Sequence, residues 1–211
     1  MPVICPTVLA LEPHEYREQV ERIVKFAERV HLDFMDGTFA PTRSPGLEQA
    51  WWPDGVKIDL HIMYQNPLDS VDTIIRLKPS LVIVHAEADG NFIELATALH
   101  DAGIKVGVAL LQDTPVDEIK PALEHIDHVL IFSGDLGHFG GTVQPALLSK
   151  VGAVKALNPE IEVGWDGGVN DTNAAALAQA GVDVLNVGGF IQKAADPQAA
   201  YATLERVLEN T

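Results

Sequence analysis

HLDFMDG, residues 31–37, is the stretch from which the rest of the chain is read. Along an extended strand alternate side chains face the same way, so His31 and Asp33 share one face while Leu32 and Phe34 take the other. Two polar groups on an inward face need compensation, because an unpaired buried carboxylate costs several kcal/mol or takes up a proton. A cation shared by both residues would supply it, and so would a His–Asp hydrogen bond. This stretch alone leaves the two readings open. Comparable runs rich in Val, Ile and Leu recur along the chain, with starts near Val3, Val30, Val56, Leu81, Ile104, His128, Ile161 and Val182. Amphipathic helical stretches lie between them. Eight such strands alternating with helices predict an α/β fold, a (β/α)8 TIM barrel, as a single compact domain over 1–211.

Helix signals fall where that scheme needs them. Pro13 opens PHEYREQVERIVKFAERV, whose Val20, Ile23 and Val24 recur at helical spacing. Pro67, Pro115, Pro145 and Pro197 stand near the starts of later helical patterns, and DAGIKVGVAL and QAGVDVLNV each end a helix at Gly and pass into a strand. The starts are spaced evenly except between the sixth and seventh strands. There the surplus is a Gly-rich loop, SGDLGHFGG, residues 133–141.

The totals bound the function. With 14 Lys and Arg against 30 Asp and Glu, the formal charge of −16 argues against nucleic acid and anionic membranes as partners. A small phosphorylated substrate stays compatible, since backbone amides can hold one phosphate without a basic side chain. No apolar run approaches the roughly 18 residues of a membrane span, and the N-terminal MPVICPTVLALEPHEY reads as a strand rather than an export signal. The lone Cys5 suits a reducing, cytoplasmic setting. Trp51 and Trp52 are read either as a partner-contact surface or as a cap on the barrel side.

Barrel chemistry sits at the C-terminal ends of strands. The polar residues expected there are Thr7, His31, Asp33, Asp36, Asp59, His61, His85, Ser133, Asp135, Asp166 and Asn186. The third strand, VKIDLHIM, repeats the parity of the second with Asp59 and His61, and the seventh ends in EVGWDGG, which delivers Asp166. His31, Asp33, His61 and Asp166 could then converge from three strands. Two imidazoles with two carboxylates form a site suited to zinc, iron, manganese or cobalt. Asp36 and Asp59 read as residues that orient the ligands or cap loops, and His85 as a structural histidine. Glycine pairs after the sixth, seventh and eighth strands, Gly140–Gly141, Gly167–Gly168 and Gly188–Gly189, are candidate phosphate cradles, the last two in the loops that commonly hold phosphate in such barrels.

HLDFMDG, DLHIM, VHAEA, WDGGV and NVGG, in this order, resemble the ribulose-phosphate 3-epimerase family, and the resemblance runs from CPTVLA through NVGGFI. It implies a ribulose-phosphate-binding barrel holding one divalent metal, zinc first, on His31, Asp33, His61 and Asp166. It also implies Asp33 and Asp166 as the acid and base that invert carbon 3 of a ketose phosphate through an enediolate. Thr7 stands where the family usually has Ser, and its hydroxyl would bond a substrate oxygen or serve structure. Met35 and Met63 resemble methionines that line the family's site below the sugar, although core packing explains them equally. Homo-oligomers are common in the family.

Some segments depart from the pattern. GDLGHFGGTVQP replaces an Asn-Pro-Gly-Phe-Gly-Gly-Gln-like run, Phe190 follows Gly188–Gly189 where Ser is often placed, and Thr38 and Thr42 replace the His and Asn usual after MDG. These positions choose and close over substrate. A hexulose 6-phosphate therefore stays open as substrate, as does metal-dependent aldol cleavage. The Asp-x-Lys-x-x-Asp arrangement of related decarboxylases is absent, and no lysine ends a strand to form a Schiff base. A non-catalytic sugar-phosphate-binding or partner-binding barrel is the alternative of another class.

Overall fold

The computed structural model describes residues 1–211. Eight parallel strands, β1 (Val3–Val8), β2 (Arg29–Met35), β3 (Lys57–Met63), β4 (Leu81–His85), β5 (Lys105–Leu110), β6 (His128–Phe132), β7 (Glu162–Asp166) and β8 (Val184–Val187), close into a barrel in sequence order. Each begins within two residues of its sequence-predicted start. The accuracy has a physical cause: strands covered on both faces read as near-continuous Val, Ile and Leu runs.

The outer layer is less regular than the strand count suggests. Helices α1 (Pro13–Ile23), α2 (Val71–Leu77), α3 (Phe92–Asp101), α4 (Leu148–Leu157), α5 (Ala174–Gln179), α6 (Gly189–Gln192) and α7 (Pro197–Glu209) cover the strands. Side-chain caps hold two of them, with Asn91 accepting from Glu94 N–H and Asp196 from Ala199 N–H. The crossover from β5 to β6 is a 3-10 segment, Val116–His125, where a regular helix is expected. Pro121 lies inside it, and a proline removes one helical donor and clashes with the preceding turn. No helix is long and apolar enough to cross a membrane. Trp51 and Trp52 are held by the barrel's own flank: Arg17 stacks 4.6 Å over the Trp51 ring, and Trp52 packs on the core between barrel and helices.

The barrel interior is divided. Leu81, Ile83, Ala109 and Leu130 fill the side lined by β4 to β6. At the base, Arg29 forks onto Asp59 (2.8 and 3.0 Å) and Glu162 (2.7 and 2.8 Å), and Glu162 also meets His128 Nδ1 at 2.8 Å. This corrects the expectation for Asp59. It faces inward as its parity demands, but it lies beside His31 in the β2–β3 register, two residues below His61, and spends its carboxylate on Arg29. Parity gives a face and not a depth. Asp36 behaves as a loop cap, its Oδ1 accepting from Thr38 and Phe39 N–H and its Oδ2 from Gln65 N–H.

Candidate functional site

The β2–β3 register sets Asp33 beside His61, so strand pairing alone brings two of the polar side chains to one level. His31 lies two residues deeper on β2, and Asp166 ends β7, with β1 and β8 between it and β2 in the ring. His31 and His61 are fully buried, Asp33 is 6% exposed, and one donor atom from each of His31, Asp33, His61 and Asp166 lies within 4.8 Å of all the others. Asp33 Oδ1 stands 2.8 Å from His61 Nδ1 and 3.2 Å from His31 Nε2, and Asp166 Oδ2 is 3.9 Å from His31 Nε2.

Whether this set suits a cation follows from size and chemistry. Donors about 2.0–2.2 Å from one ion lie no more than about 4.4 Å apart. The observed span exceeds that by a few tenths of an ångström, within reach of side-chain torsions. Two neutral imidazoles and two carboxylates are a donor set that zinc and its neighbours in the first transition row accept.

The electrostatics separate the two carboxyls. Burial pushes Asp33 up, but hydrogen bonds and charge from His31 and His61 outweigh it and hold Asp33 below the usual carboxylate range. Burial and the nearby Asp33 charge push Asp166 up to about 7, against the opposing pull of His31 and the Gly167 N–H. Burial lowers His31, but the Asp33 hydrogen bond and charge reverse the sign and raise it. For His61 burial prevails, helped by the His85 and His31 charges, and brings it down to about 4. The arrangement thus sets side by side two carboxyls whose surroundings push their proton affinities in opposite directions, a pattern suited to acid–base work.

Above the cluster opens a cleft reached by Asp33, Asp166, Met63 and Thr7 and by all six glycines of the three strand-end pairs. Three of these positions can only be glycine, Gly141 among them, where at φ +79° a Cβ would meet Gly134 Cα at 2.8 Å. A Cβ at Gly167, φ +112°, would meet Gly134 N at 2.2 Å, and one at Gly168, φ +74°, would meet Val143 N at 2.5 Å, so the loops after β6 and β7 pack backbone on backbone. Thr7 Oγ1 and Asn186 Oδ1 are buried with no protein partner. Met63 lines the cleft, whereas Met35 packs behind it with Leu9 and Ala40, its sulfur 3.1 Å from Thr42 Oγ1.

Sequence reasoning misses Lys193, the one Lys or Arg on the cleft wall, four residues past Gly189. It sits in a short helical turn with no motif around it. His85 reads as structural in the sequence, yet its Nε2 lies 2.9 Å from His61 Nε2.

Three comparisons place these features among known proteins. The model of the family described as "Ribulose-phosphate 3 epimerase family" matches residues 3–192. Ribulose-phosphate 3-epimerase of Mycobacterium tuberculosis (strain CDC 1551 / Oshkosh) is 33% identical over 212 residues, 97% of this chain and 92% of that protein. The enzyme of the same name from Helicobacter pylori (strain ATCC 700392 / 26695) is 31% identical over 214 residues, covering 98% of each. Among solved structures, 3-hexulose-6-phosphate synthase from Salmonella typhimurium superposes with a TM-score of 0.72 at 16% identity over 99% of both chains. KGPDC from Streptococcus mutans gives 0.76 at 13% identity, over 100% of this chain and 98% of that one. At such identities these two structures speak to the fold alone.

Proposed function

Because the chain belongs to the ribulose-phosphate 3-epimerase family, we propose that it inverts carbon 3 of a ketose phosphate, with ribulose 5-phosphate and xylulose 5-phosphate as the pair it interconverts. One observation carries the reading: two histidines and two aspartates from three strands converge at the barrel mouth, one donor atom of each within 4.8 Å of all the others.

Inversion beside a ketone requires one group to remove the carbon-bound proton and another to return a proton to the opposite face. Asp33, held ionised by its two histidines, is fit to accept; Asp166, whose burial favours the proton-bearing form, is fit to donate. In the reverse direction the two exchange roles. His31, Asp33, His61 and Asp166 would hold one divalent metal, zinc first, with iron, manganese and cobalt suited to the same donors. When bound, that ion supplies Lewis-acid stabilisation of the oxyanion that forms as the proton leaves.

Substrate binding falls to the rest of the cleft. The amides of Gly167–Gly168 and Gly188–Gly189, with Lys193 beside them, suit a phosphate. The Gly140–Gly141 loop covers the cleft from the β6 side. The free hydroxyl of Thr7 suits a sugar oxygen, and Met63 offers an apolar floor. A hexulose 6-phosphate is a second reading, favoured by Asp135 and His138, which bring new polar groups to the cleft wall.

The test is a panel of pentulose 5-phosphates and hexulose 6-phosphates, with and without added zinc, manganese or cobalt. Metal-dependent conversion of ribulose 5-phosphate to xylulose 5-phosphate is expected. Turnover of the hexulose alone moves the assignment to the second reading, release of a smaller aldehyde makes the protein an aldolase, and no turnover of any substrate overturns the enzymatic reading.

A further inference from the structure

Beside His61, on the neighbouring strand β4 and just past its end, runs a line of buried and half-buried polar groups that the reaction does not use directly. His61 Nε2 lies 2.9 Å from His85 Nε2. The other nitrogen of that ring, His85 Nδ1, lies 3.4 Å from Glu87 Oε2. Both of these last atoms are buried and lack a hydrogen-bond partner, so each is the group the other faces, and a small rotation of the carboxylate would close the bond. Rings of Phe39 and Phe132 pack on His85, with centroids 4.8 and 5.7 Å from its own.

We propose that His85 and Glu87 are positioning residues that fix the tautomer and the ring orientation of His61, so that His61 turns an unprotonated Nδ1 toward Asp33 and Asp166. This rests on the epimerase reading of the cluster, and it follows from counting donors along the line. An ionised carboxylate only accepts. Glu87 therefore requires the proton of His85 to sit on Nδ1, which leaves His85 Nε2 a lone pair. That lone pair requires the proton of His61 to sit on Nε2, which leaves His61 Nδ1 a lone pair as well. With a divalent metal bound, His61 Nδ1 and Asp33 Oδ1, 2.8 Å apart, would thus present two lone pairs to one cation, in place of the hydrogen bond that His61 gives Asp33 when no cation is there. A histidine ligand that donates its second N–H to a carboxylate, directly or through another group, is held in orientation and made more basic.

Glu87 is built to play that part. Burial pushes its carboxyl up, but the facing His85 ring and the bonds from the Thr114 hydroxyl and Leu111 N–H outweigh it and hold the group below its ordinary range. Its Oε1 accepts from Leu111 N–H at 3.0 Å and from the Thr114 hydroxyl. The segment that supplies those donors is itself tied down, because Lys150 Nζ donates to the carbonyls of Leu111, Gln112 and Thr114 at 2.7, 2.8 and 2.7 Å. The line thus runs from a fixed loop outside β5 to the cluster at the barrel mouth.

Two variants and one spectrum test this. His85→Phe keeps a ring between Phe39 and Phe132 but offers His61 no acceptor; Glu87→Gln keeps the shape and removes the charge. Zinc affinity is read by competition with a chelator, and the ligand field by the visible spectrum of the cobalt-loaded protein. Nitrogen-15 shifts of zinc-loaded wild type should place the His61 proton on Nε2 and the His85 proton on Nδ1, the tautomer a free histidine populates less. Both variants should bind zinc about 10- to 100-fold more weakly, with an altered cobalt spectrum. Folded variants with wild-type affinity and spectrum overturn the proposal, and so does a His85 proton on Nε2. If His85→Phe does not fold, Glu87→Gln and the wild-type spectrum decide. A wild-type protein that takes up no divalent metal overturns the metal reading itself, which is a different result from three proteins that bind it equally well.

Discussion

Replacing Arg29 by Met would test whether the base of the barrel is held by charge. The guanidinium is 15% exposed and makes four bonds to two carboxylates. Without it, Glu162 keeps His128 at 2.8 Å and, at 35% side-chain exposure, can hydrate. Asp59 is 1% exposed and keeps only the Cys5 thiol at 3.8 Å. Removing one partner of a buried ion pair costs about 3–5 kcal/mol. Since Glu162 can recover water, the loss falls mainly on Asp59, and we expect the lower end, about 3 kcal/mol. In a domain of this size each kcal/mol moves the melting point by roughly 2–4 °C, so Tm should fall by roughly 6–12 °C at pH 7. The pH dependence gives a second check. Burial raises Glu162, but hydrogen bonds from Arg29 and His128 outweigh it and hold it well below its ordinary range. A depressed carboxyl contributes stability that is present above its unfolded value, about 4.3, and is lost as pH falls through the folded value. Losing that contribution makes the difference between the two proteins largest at neutral pH and smaller below about pH 4. Calorimetry from pH 3 to 8 measures it. A melting point within about 1 °C of wild type at pH 7, or a gap that does not narrow in acid, would refute the reasoning. The double variant Arg29→Met, Asp59→Leu should recover most of the loss, because a well-packed apolar pair can replace a buried ionic one.

Other expectations concern the cleft. Gly167→Ala forces a Cβ onto Gly134 N at φ +112°, and should destabilise by about 1–3 kcal/mol and lower kcat/KM; an unchanged Tm and kcat/KM would show that the loops after β6 and β7 do not need that contact. Thr7→Val removes a hydroxyl that no protein group satisfies, so stability should stay within about 1 kcal/mol while KM for the ketose phosphate rises several-fold. An unchanged KM would take Thr7 out of the binding site. Cys5 is fully buried, and burial with the Asp59 charge beside it pushes its thiol up, so a thiol reagent should modify it only in denaturant. Stoichiometric labelling of the native protein would contradict the packing around Cys5.

The barrel and most of the candidate site were legible in the sequence because both depend on period and parity. A parallel strand buried on two faces shows as an apolar run, and alternation then puts His31 and Asp33, or Asp59 and His61, on one side. Parity could not give depth, so Asp59 could be mistaken for a neighbour of the site when it belongs to the Arg29 pair below. Nor could it show that His85 meets His61 from the neighbouring strand, or that a carboxylate two residues past the end of β4 backs that histidine, since this depends on how far β3 and β4 are staggered. The 3-10 crossover at Val116–His125 was hidden for another reason: its apolar spacing is helical, and only Pro121 speaks against a regular helix.

The central claim is that Asp33 and Asp166 act on opposite faces of one carbon. The direct measurement is inversion and solvent-hydrogen incorporation at carbon 3 in deuterium oxide, for the metal-loaded wild type and for Asp33→Asn and Asp166→Asn. Wild type should invert the carbon and incorporate deuterium, and each variant should lose inversion by about 10²-fold to 10⁴-fold or more. Inversion at the wild-type rate in either variant would contradict the account.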